Sequence, residues 1–140
     1  MTTAYWSMGT LLQRQNPVSS AWETLPGVQD IAGPTEEKEI IDITNHSSPD
    51  GREEYIGGLK RSGDVSFNMW WDPANSVQLA LKADYDGNYT RAWRIVLTDP
   101  GTATITFSAF VRTHGFAFPV NNAAPINVTL KVTGTVTVTQ

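Results

Sequence analysis

Ile126-Asn127-Val128-Thr129-Leu130-Lys131-Val132-Thr133-Gly134-Thr135-Val136-Thr137-Val138 alternates apolar and polar side chains along nearly its whole length. Ile126, Val128, Leu130, Val132, Val136 and Val138 hold one phase, and Asn127, Thr129, Lys131, Thr133, Thr135 and Thr137 the other. Side chains on a strand point alternately to opposite faces, so this period of two reads as a half-buried β-strand, and its β-branched residues suit one. At ~3.3 Å per residue it reaches about 43 Å, long for a domain of this size. A strand of that length with a polar but nearly uncharged threonine face is expected to run beyond its own core or to pair with a neighbour, because exposed edges invite another chain.

The rest of the chain carries the same signal in shorter pieces. Tyr89, Trp93, Ile95 and Leu97 form one face, Asp99-Pro100-Gly101 makes a turn, and Ala103, Ile105, Phe107, Ala109 and Val111 resume the alternation, which predicts a hairpin. Near Gly115 the apolar phase passes to Phe116 and Phe118, as a bulge would cause. Residues 64–71 alternate with Val65, Phe67, Met69 and Trp71 on the apolar side. Residues 36–44 form a further strand, with Glu36, Lys38, Asp42 and Thr44 on one side and Ile41 and Ile43 on the other, although Ile40 breaks the pattern. Residues 1–35 are weakly patterned, with strands expected at 9–14 and 22–31 and interruptions at Pro17 and Pro26. One helix is predicted over 73–86: Asp72 as N-cap, Pro73 at the first position, Val77, Ala80, Leu81 and Tyr85 at helical spacing, and Gly87 as the stop. The expectation is a mainly β fold, an antiparallel β-sandwich or barrel-like domain with one flanking α-helix, spanning residues 1–140 as a single unit.

Between two of these strands lies Asn45-His46-Ser47-Ser48-Pro49-Asp50-Gly51-Arg52-Glu53-Glu54-Tyr55-Ile56-Gly57-Gly58-Leu59-Lys60-Arg61-Ser62-Gly63-Asp64. Turn formers and charges crowd both ends while Tyr55, Ile56 and Leu59 sit apolar in the middle, so residues 45–63 read as a long inter-strand loop. Loops of more than about 12 to 15 residues are uncommon in compact domains and usually serve a function. The apolar centre points to binding.

Composition narrows the function. Ten Lys and Arg stand against fourteen Asp and Glu, for a net charge of −4. Residues 23–54 carry nine acids against Lys38 and Arg52, a balance of −7, and the remainder is +3. That distribution argues against a general nucleic-acid-binding surface, which needs clustered cations to neutralise phosphates. There is no cysteine for a disulfide framework or thiolate metal site, no basic region with an apolar run at Met1–Trp6, and no stretch approaching the ~18 apolar residues of a membrane span.

Catalytic and cofactor constellations are missing as well. His46 and His114 alone do not make a metal centre, and Asp84-Tyr85-Asp86-Gly87-Asn88 lacks both the first ligand and the closing Glu of a calcium loop. Ser47 and Ser48 lie in no Gly-x-Ser-x-Gly elbow. Gly57-Gly58-Leu59-Lys60-Arg61-Ser62-Gly63 departs from the phosphate-loop pattern, and no helix follows it. No cofactor is expected, and an enzyme is the third-ranked reading. The five tryptophans suit a sugar-stacking platform, but Trp71 and Trp93 fall in the apolar phase and are expected in the core.

The order Pro34-Thr35-Glu36-Glu37, Ile41-Asp42-Ile43-Thr44, Ser48-x-Asp50, Glu53-Glu54-Tyr55-Ile56-Gly57-Gly58-Leu59-Lys60 and Ser62-Gly63-Asp64-Val65-Ser66-Phe67 resembles the major tail tube proteins of long, non-contractile-tailed phages. Gly9-Thr10-Leu11-Leu12, Arg91-x-Trp93-Arg94-Ile95 and Val128-Thr129-Leu130-Lys131-Val132-Thr133-Gly134 continue the resemblance over nearly the whole chain. Asn121-Asn122 stand where the family often has acids, and the chain is not expected to carry the extra immunoglobulin-like domain of some members.

The resemblance implies a virion protein that closes into sixfold rings stacked into a tube, with DNA passing through the lumen without specific binding. Its implied partners are itself and other tail proteins, such as the tape measure and the tail terminator, and no membrane. On this reading Asp50, Arg52, Glu53, Glu54, Tyr55, Ile56, Leu59, Lys60 and Arg61 form the ring-stacking loop, ordered when rings dock. Strands of 89–119 and 126–139 pair between subunits, and Glu36, Lys38 and Asp42 line part of an acidic lumen. A carbohydrate-binding or adhesin-like β-sandwich is the alternative.

Overall fold

The protein is seen in a computed structural model that describes residues 8–140; residues 1–7 of the expected 1–140 unit lie outside the described residues. In chain order the elements are β1 (Leu11–Gln15), β2 (Trp22–Thr24), β3 (Val28–Ala32), β4 (Glu36–Asp42), β5 (Tyr55–Ser62), β6 (Asp64–Trp70), α1 (Ser76–Gly87), β7 (Thr90–Val96), β8 (Thr104–Phe116) and β9 (Pro125–Thr139). Seven strands form one antiparallel sheet in the order β2-β1-β7-β8-β9-β6-β3, and β4 and β5 form a separate two-stranded sheet.

The sheet must curl. β2 and β3 occupy its opposite edges, which in a flat seven-stranded sheet stand about 29 Å apart at ~4.8 Å per strand. Only Leu25, Pro26 and Gly27 link them, and so short a link spans at most about 14 Å. Curling brings the edges round towards each other and leaves an open groove lined by Val28, Ile31, Ile95, Leu97 and Ile105. Inside the curl lie Leu12 from β1, Val65, Phe67 and Met69 from β6, Trp93 and Ile95 from β7, Phe107, Ala109 and Val111 from β8, and Ile126, Val128, Leu130 and Val132 from β9. The predicted strand at 22–31 is two strands, because Gly27 takes a φ of 68° and redirects the chain from one edge to the other.

The long strand leaves its core. β9 buries its apolar phase through Val132, but Val138 is 67% exposed. The transition falls at Gly134, where a φ of 83° accompanies a register shift: between the pairs Thr106–Thr137 and Ser108–Thr133, one β8 residue lies against three of β9. A second shift, at Arg112, moves β8 by one residue against β9, so that Val111 faces Leu130 but His114 faces Val128. The phase change expected near Gly115 therefore occurs three residues earlier.

The helix closes the mouth of the curl with Leu81, Gln78 and Asp84 turned inward. Its N-cap is Asn75, whose Oδ1 accepts from the amides of Val77 and Gln78 at 2.9 and 3.2 Å; Asp72 instead caps the preceding turn through the Ala74 amide. Gly87 is the last helical residue, and Asn88 takes the left-handed conformation that ends the helix. Gln78 Nε2 donates to the Trp70 carbonyl at 2.9 Å, and its Oε1 accepts from the Asp72 amide. Asp84 accepts from Arg14 and from Arg91, pinning the helix to β1 and β7. Trp93 is fully buried beside Phe67, and Trp71 packs edge-on against Phe116, so neither forms a sugar platform.

Candidate functional site

The residues assigned to a long loop at 45–63 do not form one: 55–62 is β5, paired along its length with β4. Two glycines and a register shift between Lys38 and Ile40 hid the strand's alternation, and with both faces in solvent no burial imposes it. The result is a β-hairpin arm in which only 43–54 is connection, tightened by a 3-10 turn at Pro49–Gly51.

Pairing brings together two groups of residues that the sequence kept apart. Glu36 stands opposite Ser62, Glu37 opposite Arg61, Lys38 opposite Lys60, Ile41 opposite Ile56, and Asp42 opposite Tyr55. Thus Glu36, Lys38 and Asp42 and the residues Tyr55, Ile56, Leu59, Lys60 and Arg61 occupy the two strands of one arm, with Asp50, Arg52, Glu53 and Glu54 at its tip. Every residue of β4 is exposed, including Ile40 at 72%, and Leu59 on β5 is 66% exposed. Ile41 and Ile56 share a face; a side chain at Gly58 would strike Ile41, so this glycine lets the isoleucine lie flat across the arm. Seven acids and four bases give residues 36–62 a net charge of −3.

Hydrogen bonds order the tip. Thr44 Oγ1 accepts from the Glu54 amide at 2.7 Å, the Ile43 amide donates to the Glu54 carbonyl at 2.9 Å, and Ser48 Oγ donates to the half-buried Glu54 carboxylate at 3.1 Å. Asp42 accepts from the Thr44 amide at 2.9 Å, and the Thr44 side chain, then its backbone, hold the Asp42 carboxyl below its ordinary pKa. The Tyr55 hydroxyl donates to Glu53, which raises the phenol's pKa.

At its base the arm continues the β3–β6 pair. Only Gly63 separates β5 from β6, and its amide donates to the Thr35 carbonyl at 2.7 Å while its carbonyl accepts from Val132 at 3.1 Å. Gly33, at φ 100°, packs so closely on the Asp64 carbonyl that any side chain would overlap it. Lys131 Nζ donates to the Ser62 carbonyl, and Ser62 Oγ to the carbonyl of Gly134, the residue at which β9 leaves the core. The arm and β9 then diverge around an open cleft lined by Lys60, Arg61 and Val132–Val136.

Among the described residues no cluster of His, Asp and Glu has the makings of a metal site, and no helix is long and apolar enough to cross a membrane. The family model described as lambda phage tail tube protein matches residues 5–139. The chain belongs to the lambda phage tail tube protein family. Tail tube proteins are structural components of the phage tail, which places this one in the virion and favours the tube over the sugar-binding sandwich.

Solved structures agree at the level of fold. The tail of a gene transfer agent particle, refined with helical and C6 symmetry, shares 19% identity at a TM-score of 0.79, covering 98% of this chain and 100% of that one. A chain of the anti-feeding prophage baseplate gives 0.80 at 14% identity, covering 99% and 97%, and the SPP1 tail tube 0.70 at 14%, covering 94% and 77%. No curated protein sequence matches. Within this tail tube fold, the residues that sequence reading missed are Arg14, Asp84 and Arg91, which seat the helix, and the ring cluster of Trp71, His114, Phe116 and Phe118.

Proposed function

We propose that this chain forms sixfold rings that stack into a tail tube, the conduit for DNA, and that its β4–β5 arm is the stacking element. The arm carries this reading: it exposes Ile40, Ile41, Ile43, Tyr55, Ile56 and Leu59 on a sheet of only two strands, an element marginal in water unless something covers it. The free edges of β4 and β5, and of β9 beyond Val132, are further places for strands of neighbouring copies to pair. Glu36, Lys38 and Asp42, exposed on the arm's root and shaft, are positioned to line part of a net-negative lumen that does not retain phosphates. The chain acts without catalysis, and its remaining partners are other tail components, the tape measure and the tail terminator. Negative-stain microscopy of purified protein is the test: wild type forms tubes, and Leu59→Asp gives a folded protein that does not elongate. Normal tubes from Leu59→Asp overturn the arm's role.

A further inference from the structure

Beyond the end of β6, at the opposite end of that strand from the arm, lies a run of aromatic rings. Phe116 meets Trp71 edge-on at 5.4 Å, stacks on Phe118 at 6.1 Å, and meets His114 edge-on at 5.0 Å; Tyr85 of the helix lies 6.4 Å from His114. Phe116, Phe118 and Tyr85 are all exposed, Phe118 by 73%. A lone exposed ring is ordinary, but a contiguous row of them marks a contact surface. His114 adds an independent sign: both ring nitrogens are buried, and neither finds a hydrogen-bond partner beyond its own residue among those described. Buried polar groups are normally paired.

We infer that this aromatic rim is the acceptor on which the arm of a second copy docks. The inference rests on the proposed stacking role of the arm and supplies its unassigned counterpart. Asp64 and Trp70 are the two ends of β6; the arm departs beside Asp64, and the rim begins just after Trp70. The two surfaces differ in chemistry and sit at opposite ends of the body, so a like-with-like pair, arm on arm or rim on rim, leaves the other surface of both copies uncovered. Head-to-tail contact covers both and repeats without closing, which is the geometry of a filament. The arm presents Ile41, Ile43 and Ile56 for the rings.

The chain has no cysteine, so introduced thiols report unambiguously. Assembled protein carrying both Ile56→Cys and Phe118→Cys, treated with a short bis-maleimide and run on a denaturing gel, gives a ladder of oligomers. An equimolar mixture of the two single variants gives only mixed dimers, and each single variant alone stays monomeric. Phe118→Asp leaves the melting temperature unchanged and abolishes tubes. Absence of the ladder in protein that forms tubes, cross-linking of either single variant with itself, or normal tubes from Phe118→Asp overturns the inference. If Leu59→Asp blocks elongation while Phe118→Asp does not, the acceptor assignment alone fails. If wild type forms no tubes, or Leu59→Asp forms them normally, the stacking proposal fails and the acceptor assignment with it.

Discussion

Asp84 on the helix and Arg14 on the first strand, 70 residues apart in sequence, meet through two buried hydrogen bonds, Nε to Oδ2 at 2.5 Å and Nη2 to Oδ1 at 2.9 Å. Arg91 adds a third, to Oδ1 at 3.1 Å, and Glu23 lies 3.3 Å from the Arg14 guanidinium. Removing one partner of a buried ion pair costs about 3–5 kcal/mol because the other charge is left uncompensated. Asp84→Ala therefore destabilises by about that amount at most, since it removes the buried carboxylate that both guanidiniums share and leaves Arg14 only Glu23. Arg14→Met costs less, because Asp84 keeps Arg91. Urea denaturation of both variants checks the order.

Backbone geometry supplies a paired comparison. Gly33 and Gly51 both have positive φ, 100° and 63°, but only Gly33 has a neighbour in the way of a side chain. Gly51→Ala bears the left-handed strain alone, about 1 kcal/mol. Gly33→Ala adds overlap with the Asp64 carbonyl and is expected to cost more than about 2 kcal/mol. Thermal melts of the two variants give the difference.

His114 makes stability depend on pH. Burial, reinforced by the nearby Lys82 ammonium and opposed by Asp86, lowers its pKa below the ordinary 6.5. The unfolded chain therefore binds the proton more readily than the folded one, and stability falls as pH drops from about 6.5 towards the folded value. Above that window the contribution is fully present. His114→Phe keeps a ring in the row and removes the titration, so its melting temperature falls less between pH 7.5 and pH 5 than that of wild type.

Charge reversal on the arm tests the lumen proposal. Glu36 and Asp42 are exposed, so Glu36→Lys combined with Asp42→Lys leaves the body folded, although the Asp42 to Thr44 hydrogen bond is lost. Tubes form, and virions built from them deliver DNA more slowly because repeated cations hold phosphates. Unchanged delivery places these acids outside the lumen.

The body was legible wherever one face of a strand is buried. In β6, β7, β8 and β9 the core imposes alternation on Val65, Phe67, Trp93, Phe107, Val128 and Leu130, and the sequence shows it. In the arm the strand expected at 36–44 is present as Glu36–Asp42, but its partner gave no such signal, because Tyr55–Ser62 faces solvent on both sides and contains Gly57 and Gly58. Its apolar residues were visible, but their strand was not. Asp72-Pro73 imitates a helix start, while Asn75 makes the actual cap. The Arg14–Asp84 pair, and the meeting of Trp71 and Tyr85 with the locally spaced His114, Phe116 and Phe118, join residues far apart in sequence, and no local pattern announces them.

Because the arm continues β3 and β6 beyond the body, a force that drags on its tip runs along the strands and not across them. The ladders holding β6 to β3 and β9 are then loaded in shear, with all their hydrogen bonds strained together. A pull across the strands would open the same bonds one by one from an end. The joint at Gly33 and Gly63 thus passes tension into the strongest direction of the sheet, which suits a part that must hold while a tail bends.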